Sequence, residues 1–354
     1  MTNLNLYIHI PYCFAKCPYC AFFSCTNCED TYEEYFKTLN KEIITKAEQY
    51  KDREVQTIYI GGGTPNLVPY TYIVKCIENI KKNFNINNEI EITIEQYPQY
   101  ISKESLEAYK RIGINRISMG LQTTDNEQLK QLARRYTYEE FLEKFTLVKA
   151  AGFKDTGIDL IFGYPQHTLE QWKKTLELVT SLDIQHISCY SLEVEAGTPY
   201  GKLNEQGKLN LPTEMVDREM YHYACTYLND KGFKQYEISN FAKQGYECKH
   251  NLNFWNYQDY LGLGAGAYSR VDNIKSNNPE DIQKYISGEW DMGKGKIERE
   301  SQVKEKIMLG LRLNNGISYN EKLFQKEYMD KIEDRMILNS KGKDFYNQVV
   351  EKIM

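Results

Sequence analysis

The sequence predicts an α/β protein: a partial (β/α)6 barrel followed by a small, mostly helical C-terminal domain. Three observations lead there. Short β-type runs alternate with longer helical stretches, the pattern of parallel strands joined by crossover helices. Six such units are found, which suits an opened relative of the eight-fold barrel. The distinctive residues also fall at the C-terminal ends of consecutive strands, where closed (β/α) barrels keep their working groups.

Strands are expected at Leu6–Ile10, Thr57–Ile60, Ile90–Glu95, Arg116–Gln122, Thr156–Phe162 and Ile187–Leu192. Helices are expected between them at Thr31–Gln49, Tyr70–Phe84, Lys103–Ile112, Phe141–Ala151 and Leu169–Leu182. Ala150-Ala-Gly-Phe reads as a helix end with a glycine stop, and Arg111-Ile-Gly repeats the device. A further helix, Thr213–Lys231, leads to an extra strand at Phe233–Ile238. Residues 273–300 are polar and rich in Asn, Gly and Lys, and read as a linker. Beyond it, Gln302–Leu313 and Tyr319–Glu333 read as helices. The expected division is therefore 1–272 for the barrel with its extension and 273–354 for the linker and C-terminal domain.

Composition narrows the class. With 354 residues the chain can bury a large core, and 26% charged with 41% hydrophobic residues is ordinary for a globular protein. A net charge of −5 gives no reason to expect nucleic acid or an anionic membrane as partner. No apolar run approaches a membrane span, and Met1-Thr-Asn-Leu-Asn lacks the basic start of a signal peptide. Nine cysteines in such a chain point to the reducing cytoplasm and to metal or redox use.

The chemistry concentrates after the first strand. Tyr7-Ile-His-Ile-Pro-Tyr-Cys13-Phe-Ala-Lys-Cys17-Pro-Tyr-Cys20 presents three thiols, with three and then two residues between them. Thiolates are the usual ligands of iron–sulfur clusters, and three of them leave one of four irons open for reaction. Structural disulfides fit neither the size nor the expected compartment. A zinc site drawing a fourth ligand from Cys25 or Cys28 is the remaining alternative. Four more strands deliver a signal at the same rim: Gly61-Gly-Gly-Thr-Pro65, Glu95, Gln122 and Asp159. Glycines there let backbone approach a ligand closely.

The loop resembles that of the radical S-adenosylmethionine (SAM) superfamily, whose Cys-x3-Cys-x2-Cys loop chelates a [4Fe–4S] cluster. The resemblance implies cluster ligation by Cys13, Cys17 and Cys20. By the same matching, Tyr7, Tyr19, Gly62, Gly63, Thr64, Glu95, Gln122, Arg134 and Asp159 fall on SAM-pocket positions. Glu95 and Asp159 can accept hydrogen bonds from the ammonium or the ribose, and Arg134, with Arg135 as its neighbour, can pair with the carboxylate. The implied chemistry is one-electron cleavage of SAM to methionine and a 5′-deoxyadenosyl radical, with an external electron donor.

Further segments resemble the coproporphyrinogen-dehydrogenase-like branch: His9-Ile-Pro, Gly157-Ile-Asp-Leu-Ile-Phe-Gly-Tyr-Pro-Gln, Tyr236-Glu-Ile-Ser-Asn-Phe-Ala and Leu261-Gly-Leu-Gly-Ala-Gly-Ala. Oxygen-independent coproporphyrinogen III dehydrogenases carry a fourth cysteine two residues after the third, where this chain has Phe22, and a longer N-terminal extension. Both departures turn the resemblance toward the HemW-type heme chaperones, which bind heme and pass it to apoproteins. That type is marked by His-Asn-x-x-Tyr-Trp, matched by His250 to Trp255 with Phe254 in place of tyrosine. The resemblance implies heme as a third cofactor with His250 as its ligand, Cys248 being a competitor. It implies a heme-requiring apoprotein as partner, and leaves room for a membrane-associated client and a homodimer. Tyr136 stands where the branch has histidine, and Gln96-Tyr-Pro98 where it has Asn-Pro. Cys25 and Cys28 read as spare thiols, with a part in cluster exchange the sharper alternative. The rival readings are the dehydrogenase itself and a binding protein that keeps the cluster for regulation.

Overall fold

The computed structural model describes residues 2–353. Six strands lie side by side in sequence order, each parallel to the next: β1 (Thr2–Ile10), β2 (Arg53–Gly62), β3 (Asn85–Gln96), β4 (Arg116–Gln122), β5 (Asp155–Phe162) and β6 (His186–Ser191). The crossovers are α1 (Tyr32–Gln49), α2 (Tyr70–Asn83), α3 (Lys103–Arg111), the pair α4 (Asn126–Gln131) and α5 (Tyr138–Ala150), and α6 (Leu169–Thr180). Parallel neighbours demand such crossovers, because the chain must return to the same edge before starting again.

Alternation in the strands explains the two faces. Ile58, Ile60, Ile92, Ile94, Ile117, Met119, Ile158 and Leu160 are fully buried in one continuous core with residues of the crossover helices. Each such side chain contributes roughly 1.5–3 kcal/mol relative to exposure. The intervening positions are polar: Thr57 and Tyr59 on β2, Thr93 and Glu95 on β3, Ser118 on β4 and Asp159 on β5. These face the concave side. Helix α5 starts a turn before its expected beginning at Phe141. Thr137 caps it, its hydroxyl accepting the Glu140 amide at 3.2 Å while Glu140 accepts the Thr137 amide at 2.7 Å.

The barrel does not close. After α7 (Pro199–Glu205) and α8 (Glu214–Asp230), β7 (Lys234–Gln235) and β8 (Asn240–Ala242) pair antiparallel, and β8 pairs antiparallel with β6. Helix α9 (Lys249–Trp255) then carries the chain to β9 (Tyr260–Leu263), parallel to β1 at the opposite edge. Antiparallel β10 (Tyr268–Val271), β11 (Ile274–Asn277) and β12 (Met292–Lys296) complete a twelve-stranded open sheet. The expected strand over Phe233–Ile238 shrinks to β7, because the Tyr236 amide turns back to the Asn240 carbonyl.

The C-terminal part departs from expectation. Residues 273–300, read as a linker, carry β11, α10 (Ile282–Ile286) and β12. Helix α11 (Arg299–Leu311) is near its expected place. The helix expected over Tyr319–Glu333 gives way to turns and a hairpin. There β13 (Ile317–Ser318), β14 (Met329–Ile332) and β15 (Arg335–Leu338) form a three-stranded sheet followed by α12 (Ser340–Asp344) and α13 (Tyr346–Ile353). Pairing of Met329 with Leu338 and Ile332 with Arg335, around Glu333 at φ +53°, outweighs local helical spacing. Among the described residues no helix is long and apolar enough to cross a membrane.

Candidate functional site

The segment after β1 arches over the C-terminal rim and is pinned on both flanks. On one side Gly63 donates its amide to the Ile10 carbonyl (2.8 Å) and Thr64 to that of Tyr12 (2.7 Å). On the other, Cys25 donates to the Pro11 carbonyl (2.6 Å) and Cys13 to that of Cys25 (2.9 Å). The turn after β2 must be glycine to come this close. A Cβ on Gly63 would lie 2.7 Å from the Tyr12 carbonyl oxygen and 2.9 Å from the Cys13 sulfur. Gly62, at φ +118°, lies against the His9 ring.

Cys13, Cys17 and Cys20 are free and half-buried on this arch. Burial raises the thiols of Cys13 and Cys20, and each also lies in the field of the neighbouring thiolates. Metal cations offset such a penalty directly. Among the described residues no three His, Cys, Asp or Glu side chains converge on a single-ion site. Three free thiols on one loop are the kind of donor set whose thiolates bind separate irons of a cluster.

Below the arch the concave face is acidic. Glu95 accepts the Tyr59 hydroxyl at 2.9 Å, and burial followed by the charge of Asp159 pushes its carboxyl up to about 7. Asp159, also raised by burial, accepts the Ser118 hydroxyl at 2.9 Å. Two buried carboxyls that repel each other are relieved by a cationic ligand, and a sulfonium with an ammonium group is one. Gln122 follows at φ +73°, a conformation that an irregularity in the β4–β5 register imposes. Tyr7 stacks on Tyr59 and donates its hydroxyl to His9 Nδ1 at 3.0 Å, since His9 Nε2 must donate to the Phe23 carbonyl (3.0 Å).

The rim also holds a buried cation. Arg134 donates to the Tyr19 hydroxyl at 2.7 Å and lies over the Tyr97 ring, while its Nε is buried with no hydrogen-bond partner among the described residues. A buried guanidinium with an unused donor suits a carboxylate ligand. Arg135 instead lies over the ring of exposed Phe14, so the two adjacent arginines are separated by environment. Tyr136 donates to the Gly120 carbonyl at 2.5 Å, a packing role.

His250 lies elsewhere, deep on the concave side at the start of α9. Glu91 accepts the amides of Lys249 (2.9 Å) and His250 (3.0 Å) and so fixes the helix end. Thr57 donates its single hydroxyl proton to Asn5 Oδ1 (2.8 Å), whose amide is oriented by the Asp259 carbonyl. The Thr57 oxygen must therefore accept from His250 Nδ1 (2.8 Å), which leaves the lone pair on Nε2. Burial pushes His250 down to about 3, so the ring is neutral. Cys248 is opposite in character: its thiol faces Glu91 at 3.6 Å, and burial with that carboxylate pushes it up to about 12.

The structure thus gathers the predicted residues into a mouth and an interior. Thr57, Tyr59 and Ser118 are not singled out by the sequence, and His9 stands out there only as part of the His9-Ile-Pro motif. Their signal was the polar residue at every second position of otherwise apolar buried strands. Cys25 and Cys28, read as spare thiols, bring their sulfurs into bonding contact with a Cα separation of 6.2 Å.

The fold is that of a radical SAM protein, and the radical SAM superfamily profile matches residues 7–179. The heme chaperone HemW of Bacillus subtilis is 33% identical over 92% of this chain and 86% of its own length. HemW of Escherichia coli is 34% identical over 77% of this chain and 71% of its own. The structure of the E. coli radical SAM enzyme coproporphyrinogen III oxidase (HemN) superposes with a TM-score of 0.85, covering 99% of this chain and 90% of that one at 22% identity. The chain belongs to the HemW family within the radical SAM superfamily.

Proposed function

We propose that this protein is a radical SAM-type heme chaperone that binds a [4Fe–4S] cluster, SAM and heme, and delivers heme to apoproteins. The observation that carries the reading is the fixed tautomer of His250, whose Nε2 lone pair is what iron ligation requires. Its relatives' name as heme chaperones supports it. Cys248, kept protonated beside Glu91, is the poorer ligand of the two.

In this reading Cys13, Cys17 and Cys20 hold the cluster, whose chemistry when bound is to supply one electron for reductive cleavage of SAM. Glu95 and Asp159 receive the cationic end of SAM, Arg134 its carboxylate, and Tyr7, Tyr19, Gly62, Gly63, Thr64 and Gln122 shape the pocket. The partners required are an electron donor and a heme-requiring apoprotein. Phe22, 72% exposed, puts a ring where the dehydrogenases carry their fourth thiol. One anaerobic assay tests the assignment: reconstituted protein with SAM and reductant, offered hemin or coproporphyrinogen III. Stable heme uptake and transfer to an apoprotein is expected. Carbon dioxide released from the propionates would assign the dehydrogenase instead.

A further inference from the structure

Cys25-Thr-Asn-Cys28 lies outside the three-thiol motif yet is built into its support. Cys25 pairs by both backbone groups with the arch, donating to Pro11 and accepting from Cys13, with Tyr12 directly opposite. Cys28 reaches the same residue by another route. Its carbonyl accepts the amide (3.0 Å) and the hydroxyl (2.7 Å) of Thr31, and the Thr31 hydroxyl oxygen accepts the Tyr12 hydroxyl proton at 2.8 Å. The opposite flank of Tyr12 is the amide of Thr64. The loop 25–28 is therefore fastened at both ends to the residue preceding Cys13. A Cα separation of 6.2 Å lies within the range that a disulfide spans. Both cysteines are half-buried as residues, beside exposed Asn27 at φ +56°, at a place an exchange partner can approach. Cys76, Cys189 and Cys248 are buried elsewhere and do not compete.

We propose that Cys25 and Cys28 form a reversible redox site, a dithiol–disulfide pair whose closed state clamps Tyr12 and thereby the Cys13 end of the cluster arch. The proposal deepens the cluster reading and rests on it for its consequence, though not for its chemistry. Opening transfers two electrons and two protons from a dithiol donor, which becomes a disulfide as the Cys25–Cys28 bond breaks to two thiols. Disulfides that hold a fold together belong mostly to small domains with too little core, whereas this chain buries one continuous core of its own. Opened, the loop releases one flank of Tyr12, and Cys13 can yield or accept iron. Closed, it holds the arch between Cys25 and Thr64.

The test poises the reconstituted protein anaerobically in dithiothreitol mixtures of varied oxidation. Alkylation with mass spectrometry reads the pair, amide exchange reads the Tyr12–Cys20 segment, and an iron chelator reads cluster loss. The expected result is one two-electron transition at Cys25–Cys28. Amide exchange and chelator loss should each be about tenfold faster on the reduced side. The C25S/C28S double variant should stay at the fast rate at every poise, while Cys225→Ser follows the parent. Full alkylation of both cysteines at every poise, or rates independent of poise in the unmodified protein, would overturn the proposal. If no cluster forms at all, the cluster reading fails, and amide exchange against poise still decides the clamp.

Discussion

The mouth of the barrel and its interior hold two kinds of prospective ligand, and their environments are opposite. At the mouth, Cys13, Cys17 and Cys20 are half-exposed and close in sequence, and burial raises the thiols of Cys13 and Cys20 toward the protonated state. In the interior, His250 is neutral and locked by Thr57 into one tautomer before any ligand arrives. A thiol arch must admit iron and then be deprotonated by it, so accessibility matters more than preset protonation. An imidazole needs its lone pair free at once, so a second side chain orients it. The difference predicts two centres that can be removed one at a time.

The largest effect should come from Cys17→Ala. Cluster absorption and formation of 5′-deoxyadenosine should vanish, measured anaerobically after reconstitution. Next is Arg134→Met, which deletes the buried donor at the rim. SAM affinity, read by calorimetry on reconstituted protein, should fall about 10- to 100-fold, the range for a lost charge-assisted hydrogen bond. Arg135→Met, over exposed Phe14, should stay close to the parent. In the interior, Thr57→Val removes the acceptor for His250 Nδ1. Heme affinity should drop about tenfold while the cluster spectrum is unchanged.

The smallest effect is a matter of pH. Glu95 has its carboxyl raised to about 7, so the free protein holds it protonated below that value. A cationic ligand favours the ionised form and must expel the proton to bind. SAM affinity should therefore rise as pH increases toward about 7 and level off above it, by at most about tenfold per pH unit. Glu95→Gln should flatten that slope. A parent protein with no slope across this range would remove Glu95 from contact with the cation.

The same division separates what was legible in the sequence from what was not. The mouth could be read because its ligands are neighbours in the chain: Cys13, Cys17 and Cys20 within one loop, Gly62 to Thr64 within one turn. The six barrel strands were legible for a similar reason, since apolar runs such as Ile58–Ile60 and Ile92–Ile94 repeat locally. The interior could not be assembled that way. Asn5, Thr57, Glu91 and His250 come from four distant segments, and only the β1–β2–β3 register and α9 bring them together. The Tyr319–Glu333 stretch was misread because hairpin pairing with Arg335–Leu338 is non-local. Cys25 and Cys28 read from sequence as spare thiols and not as part of the arch, since their link to Tyr12 runs through backbone groups and Thr31.

The most direct measurement is a hemin titration, followed by absorption, of reconstituted Cys17→Ala and His250→Ala beside the parent. The account predicts that Cys17→Ala loses the cluster band and keeps the parent heme band. His250→Ala should keep the cluster and lose or shift the heme band. An unaltered heme band in His250→Ala would contradict the account, and so would an intact cluster in Cys17→Ala.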